Sequence, residues 1–176
     1  MKLIRATCES DWELARKILL QAIEFLDQAG KSLWQKDQAE ISALKRNYKL
    51  EELYFFGAKG EIYGMLFIQH KDLDFWSEIK EDNSLYIHKL AVLPKYKGFG
   101  YGYRAIDLVK ELAELNNKKY IRLDCDCRQG LISFYEKYGF SLVSKSVLGK
   151  YQVVKYELEI ANKSLQHQSL RSLDGF

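Results

Sequence analysis

Residues 84–102 read S-L-Y-I-H-K-L-A-V-L-P-K-Y-K-G-F-G-Y-G, and the fold turns on how this stretch is parsed. Residues 85–93 are largely apolar, without Gly or Pro, and predict a strand. The strand stops at Pro94, the only proline in the chain. A short basic loop follows, with Lys95, Lys97 and glycines at alternate positions, Gly98, Gly100 and Gly102. Residues 103–115 then carry helical periodicity. A strand running through a basic, glycine-rich loop into a helix N-terminus is a seat for phosphate. Glycine lets the backbone approach and adopt positive φ, and the unpaired amides and helix dipole face the anion.

Upstream, residues 3–6 predict a short first strand. Ser10 followed by Glu13 has the spacing of a capping box and opens a helix over 10–29. Trp12, Ala15, Ile18, Leu19, Ala22, Ile23 and Leu26 mark its buried face, and Gly30 is placed to cap its end. A second helix is expected over 37–48. The period then changes: 53–58 and 62–70 read as strands joined by a Lys59-Gly60 hairpin turn. Residues 71–83 read as a loop carrying Phe75 and Trp76. Downstream come a strand at 119–125, a helix at 131–137, and closing strands at 140–147 and 151–160 with a Gly149-Lys150 turn. The order places one strand–helix–strand unit inside a mainly antiparallel sheet, a mixed α/β domain. One domain is expected over 1–160, and 161–176 reads as a polar C-terminal tail.

The bulk numbers are those of an ordinary globular domain: 176 residues, 47% hydrophobic and 29% charged. A net charge of +3 from 27 basic and 24 acidic residues is too small to argue for nucleic acid. Three cysteines without framework spacing favour a reducing, cytoplasmic setting. No apolar run approaches membrane-spanning length, so no membrane partner is expected.

Gly-rich loops have several owners. The dinucleotide fingerprint wants G-x-G-x-x-G after the first strand of a doubly wound sheet, and here the spacing is G-x-G-x-G, late in the chain. A P-loop would place Ser or Thr after Gly-Lys, which is absent. The surviving match joins Leu90-Ala91-Val92-Leu93-Pro94 to Lys95-Tyr96-Lys97-Gly98-Phe99-Gly100, with Phe134-Tyr135-Glu136-Lys137-Tyr138-Gly139-Phe140 downstream. These segments resemble the coenzyme A loop and the F-Y-x-x-x-G-F segment of the GNAT superfamily of N-acetyltransferases. Y-I-H-K-L-A-V and I-R-L-D-C further resemble a subgroup of small bacterial members. Lys95 stands where the family's loop motif has Gln or Arg.

The resemblance implies acetyl-CoA as cosubstrate and transfer of its acetyl group to a primary amine of a small molecule or protein. It places the pyrophosphate on Lys97, Gly98, Phe99, Gly100, Tyr101 and Gly102, with Lys95 also among the coenzyme-binding residues. It places the pantetheine arm along Leu90, Ala91 and Val92, where two parallel strands splay, and one of their amides would polarise the thioester. Tyr135 would be the acid for the leaving thiolate. Arg128 stands where many relatives carry a coenzyme-contacting Asn.

The base for the acceptor is open among His88, Tyr86, Glu78 and the loop acids Asp72 and Asp74. Trp34 and Trp76, with Phe75, are expected at the acceptor mouth, or else cap the core. Cys125-x-Cys127 lacks paired metal-site spacing, and no metal is expected. A non-catalytic acyl-CoA-binding module and a protein keeping only the fold stay open as alternatives, as do monomer and homodimer.

Overall fold

The computed structural model describes residues 1–148 and 151–161. Seven strands form one sheet: β1 (Lys2–Arg5), β2 (Leu53–Ala58), β3 (Glu61–Gln69), β4 (Ser84–Val92), β5 (Tyr120–Asp126), β6 (Ser141–Leu148) and β7 (Tyr151–Glu159). Four helices flank it: α1 (Ser10–Gln28), α2 (Ile41–Asn47), α3 (Tyr101–Leu115) and α4 (Gln129–Tyr138). The strand order is β1-β2-β3-β4-β5-β7-β6, and β4–β5 is the one parallel pair among the described residues.

The central strands read as near-continuous apolar runs because both faces of the sheet are covered. In β3, Met65 and Phe67 join Phe55 of β2 and pack against Trp12, Ala15, Ile18, Leu19 and Ile23 of α1. Leu66 and Ile68 point the other way, with Phe56, Leu85 and Ile87, onto Ala105, Ile106 and Val109 of α3. Side chains of this size contribute about 1.5–3 kcal/mol each when fully buried. Two cores therefore clamp one sheet, and α3 is held directly after the glycine loop.

Several local expectations change. The Ser10–Glu13 capping box does not form: Ser10 already lies inside α1, and Glu9 at the N-cap makes no side-chain capping bond. The Asp11 carboxylate instead accepts hydrogen bonds from the amides of Thr7 (2.7 Å) and Cys8 (3.1 Å). A charged acceptor is the stronger partner for free amides at a helix start. The helix expected over 37–48 splits into a 3-10 turn at Lys36–Ala39 and α2, because Glu40 is extended (ψ 140°). Its carboxylate reaches Arg16 of α1 at 3.2 Å. α3 begins at Tyr101, so Gly102 belongs to the helix and not to the loop. Lys59 and Gly60 both have positive φ (52° and 82°), as a tight hairpin turn requires. The Gly149-Lys150 turn and residues 162–176 lie outside the described residues.

Candidate active site

The site is made by a failure of pairing. β4 and β5 hydrogen-bond in register only at Ser84–Tyr120, Leu85–Ile121 and Tyr86–Arg122. Both strands continue, β4 to Val92 and β5 to Asp126, but without pairing to each other. The closed end is fastened by Arg122, which is 5% exposed. Its guanidinium donates to Glu157 at 2.7 Å, to Asn83 at 3.3 Å and to the Ser84 hydroxyl.

β4 also changes phase. Phe67 pairs with His88 and Met65 with Ala91, so β4 carries an extra residue opposite Leu66. The bulge is taken up at Lys89, whose φ of 49° is left-handed. Leu85 and Ile87, then Leu90 and Val92, consequently face one core, while Ala91 faces the other. His88 and Lys89 are adjacent in sequence and line the same cavity.

Two hollows flank this region. A groove of about 470 Å³ is lined by Leu90, Val92, Tyr96, Lys97, Gly98, Gly100, Tyr101, Gly102, Tyr103, Leu131, Phe134 and Tyr135. Gly98 and Gly100 have φ of 84° and 77°, with open space where a Cβ would stand, and Gly100 is the N-cap of α3. Left-handed backbone at the start of a 15-residue helix turns amides outward, the cradle that a pyrophosphate needs. The residues present thus fit the phosphate end of a coenzyme, and the unpaired edge of β4 fits its amide-bearing arm.

The second hollow, of about 420 Å³, is lined by Leu33, Trp34, Gln38, Tyr48, Phe75, Ile87, His88, Lys89, Leu90, Asp124, Cys125, Asp126, Leu131, Tyr135, Gln152 and Val153. Leu90, Leu131 and Tyr135 belong to both hollows, so the two meet at Tyr135. The Tyr135 hydroxyl makes no hydrogen bond among the described residues, and burial, with Cys125 and Asp124 nearby, pushes its pKa up. It stays protonated at neutral pH and is free to donate. Tyr48 stacks on Phe67 with centroids 3.9 Å apart and lies 5.7 Å from the His88 ring.

At the bottom of the second hollow His88 lies between two carboxylates. Nε2 is 3.8 Å from Asp72 Oδ2, and Nδ1 is 4.0 Å from Asp124 Oδ1. Asp72 Oδ2, His88 Nε2 and Asp124 Oδ1 are all buried without a hydrogen-bond partner. Asp72 is held by its other oxygen, which accepts from the amides of Asp74 and Phe75 at 3.1 and 3.0 Å. Burial pushes the Asp124 carboxyl up to about 7, with Asp72 adding to the shift. Burial holds His88 below the usual histidine range, against the pull of Asp72. His88 is therefore neutral at pH 7 and able to accept a proton.

The sequence-derived residues divide by place. Leu90, Val92, Lys97, Gly98, Gly100, Tyr101, Gly102 and Tyr135 line the first groove. Ala91 is turned to the opposite core by the bulge. Lys95 lies against the Tyr96 ring, and Phe99 is 72% exposed, both outside the groove lining. Arg128 folds back on Asp126 (3.0 Å) and the Lys31 carbonyl (2.9 Å). Trp34 and His88 line the second hollow.

Trp76, expected at the acceptor mouth, and Tyr86 and Glu78, candidates for the base, do not line it. Trp76 is 1% exposed, 6.0 Å from the Tyr86 ring and under the Arg122 guanidinium. Glu78 pairs with Lys155 at the surface, 2.9 Å away. All three cluster with Arg122, at the closed end of the strand pair. Asp124, Lys89 and Tyr48 went unread in the sequence. Asp124 left one signal, a lone carboxylate inside the apolar strand I-R-L-D-C. The grouping nearest to a metal set among the described residues is Asp72, His88 and Asp124, not the cysteines.

This geometry agrees with the comparisons. The model of the acetyltransferase (GNAT) family matches residues 19–140, and the chain belongs to that family. The uncharacterized N-acetyltransferase YesJ of Bacillus subtilis (strain 168) is 24% identical over 147 residues, covering 79% of this chain and 81% of its own. A GNAT-family acetyltransferase structure from Listeria monocytogenes superposes with a TM-score of 0.70 at 19% identity, covering 89% of this chain and 93% of that one. A Bacillus anthracis structure in complex with acetyl coenzyme A gives a TM-score of 0.51 at 23% identity, with 62% of each chain covered.

Proposed function

We propose that the chain transfers the acetyl group of acetyl-CoA directly to the primary amine of a small molecule. The observation that carries this reading is the shared wall: the coenzyme groove and the acceptor hollow meet at Leu90, Leu131 and Tyr135. An acceptor hollow of about 420 Å³ under Trp34 and Phe75 has the size of a small-molecule site.

In this reading the amides around Gly98 and Gly100, with the N-terminus of α3, hold the pyrophosphate. The free edge of β4 beyond Tyr86 pairs with the pantetheine amides, and a backbone N–H near Leu90 polarises the thioester carbonyl. The acceptor enters as an ammonium and loses a proton toward Asp124 and His88. Its nitrogen lone pair forms the C–N bond as the C–S bond breaks. The departing sulfur takes its proton from the Tyr135 hydroxyl, and the second proton, shed by the acetylated nitrogen as it becomes an amide, restores the phenol.

An acetyl-transfer screen over small amines and peptides, followed by Tyr135→Phe on the best acceptor, tests the reading. The variant is expected to lose about 10²–10⁴ in kcat. Its acetyl-CoA affinity by calorimetry is expected to stay within severalfold. An unchanged rate with chemistry limiting removes Tyr135 from this role, and absence of acetyl-CoA binding removes the reading as a whole.

A further inference from the structure

The second hollow holds a carboxylate oxygen without a hydrogen-bond partner, Asp124 Oδ1, and a cation, Lys89. Its ammonium lies 5.4 Å from the centroid of the Trp34 ring. Among the described residues no carboxylate oxygen lies within 4.0 Å of it, and no hydrogen bond is made by it. It is half-buried all the same, at the wall between this hollow and an adjoining groove lined by Asp37, Gln38, Ala43, Arg46, Asn47 and Tyr48. Burial lowers its pKa to about 8, opposed by Asp124 and Asp37, so at neutral pH it remains mostly charged.

The backbone is bent to put it there. A non-glycine residue in the left-handed region costs on the order of 1–3 kcal/mol and persists where the surroundings enforce it. Regular alternation would send Lys89 to the face opposite His88. The bulge brings both to one cavity.

Asp124 and His88 line the same cavity and form its acidic end, and beside His88 Asp72 has a side chain 4% exposed and an unpartnered Oδ2 3.8 Å from His88 Nε2. The two carboxylates face opposite nitrogens of one imidazole. A single metal ion engages one ring nitrogen, so this arrangement suits proton transfer from an ammonium better than coordination. A simple alkylamine would satisfy the acidic end and leave Lys89 unpaired. A diamine would set a second cation against Lys89. A molecule carrying an amine and a carboxylate satisfies both ends.

Resting on the acetyl-transfer reading, we infer that the acceptor is an amino acid, its amine delivered to Asp124 and His88 and its carboxylate paired with Lys89. Matched acceptors test this with the full chain and acetyl-CoA: lysine against cadaverine, phenylalanine against phenethylamine, and alanine against alaninamide. In at least one pair the carboxylate member is expected to be favoured by about tenfold or more in kcat/KM, one ion-pair's worth of discrimination. Lys89→Met is expected to raise KM for that acid by about tenfold with a smaller change in kcat, collapsing the preference. Lys89→Arg, which keeps the charge, is expected to restore part of it, and acetyl-CoA calorimetry shows that both variants are folded.

Equal or reversed preference in every pair overturns the inference while leaving acetyl transfer intact, as does a preference that survives Lys89→Met. Preference for peptide N-termini over free amino acids overturns it too. Should no acceptor be acetylated, the same pairs are titrated calorimetrically against the coenzyme A-loaded protein. Carboxylate-dependent heat that vanishes in Lys89→Met then upholds amino-acid recognition apart from catalysis, and its absence overturns it.

Discussion

Asp124 is a carboxylate placed where ionisation is costly, with a side chain 17% exposed and Asp72 close by. Its pKa in the fold, about 7, lies above its unfolded value. The stability tied to its protonated form is present at low pH and is lost as pH rises through about 7. Asn cannot ionise and escapes that loss. Asp124→Asn is therefore expected to gain in Tm over the parent between pH 5 and pH 8, by at most a few kcal/mol in equivalent stability, while acetyl transfer falls. Parallel Tm profiles for the two proteins would count against the assignment. His88 acts in the opposite sense: its lowered pKa means stability is lost as pH falls below the ordinary histidine range. At this scale the sequence was readable only where a residue sits in a motif. Tyr135 is fixed by F-Y-E-K-Y-G-F, whereas Lys89 reaches its cavity through a left-handed φ that alternation does not announce. Trp76 reads as a mouth residue and Tyr86 as a candidate base because aromatics in a loop and on a strand carry no mark of which end of a splayed pair they occupy.

Elements were more legible, since hydrophobic period survives whatever the tertiary detail. The strands and α3 fall within a residue or two of their sequence expectations; the Ser10 miss arises because Asp11 takes the free amides, and the Glu40 break accompanies its pairing with Arg16. Two glycines separate backbone conformation from crowding. A Cβ at Gly64 of β3 would stand 2.1 Å from the Ala91 carbonyl oxygen and 2.3 Å from the Phe56 ring. The bulged segment of β4 cannot be pushed back without opening the sheet. Gly64→Ala is expected to cost about 3 kcal/mol, a Tm fall of roughly 6–12 °C for a chain of this size. Gly100 has nothing within 4 Å of its would-be Cβ, only a φ of 77°. Gly100→Ala is expected to cost about 1 kcal/mol in stability, with a larger relative loss in acetyl-CoA affinity as the loop amides reorient. Calorimetry beside thermal melts distinguishes the two, and a Gly64→Ala protein as stable as its parent would sink the crowding account.

For the whole molecule, the two cores make the sheet one body, yet its halves are joined at β4–β5 by three residue pairs at one end. The architecture was legible because one strand–helix–strand unit among antiparallel hairpins allows few arrangements. The extent of the splay was not, because loss of pairing leaves no trace in composition. It has a dynamic consequence. In the absence of coenzyme, the β4 amides beyond Tyr86 that face β5 lack a strand partner there, although they lie at the centre of the molecule. Hydrogen–deuterium exchange should find them labile, beside slow amides at Ser84–Tyr86 and in β3. Acetyl-CoA at about 100 times its Kd should slow those central amides by up to roughly a hundredfold. Uniform protection along β4 before coenzyme is added would contradict an open seam. The protein would then label fast along its own midline, between slow amides on either side, with the coenzyme acting as the missing strand.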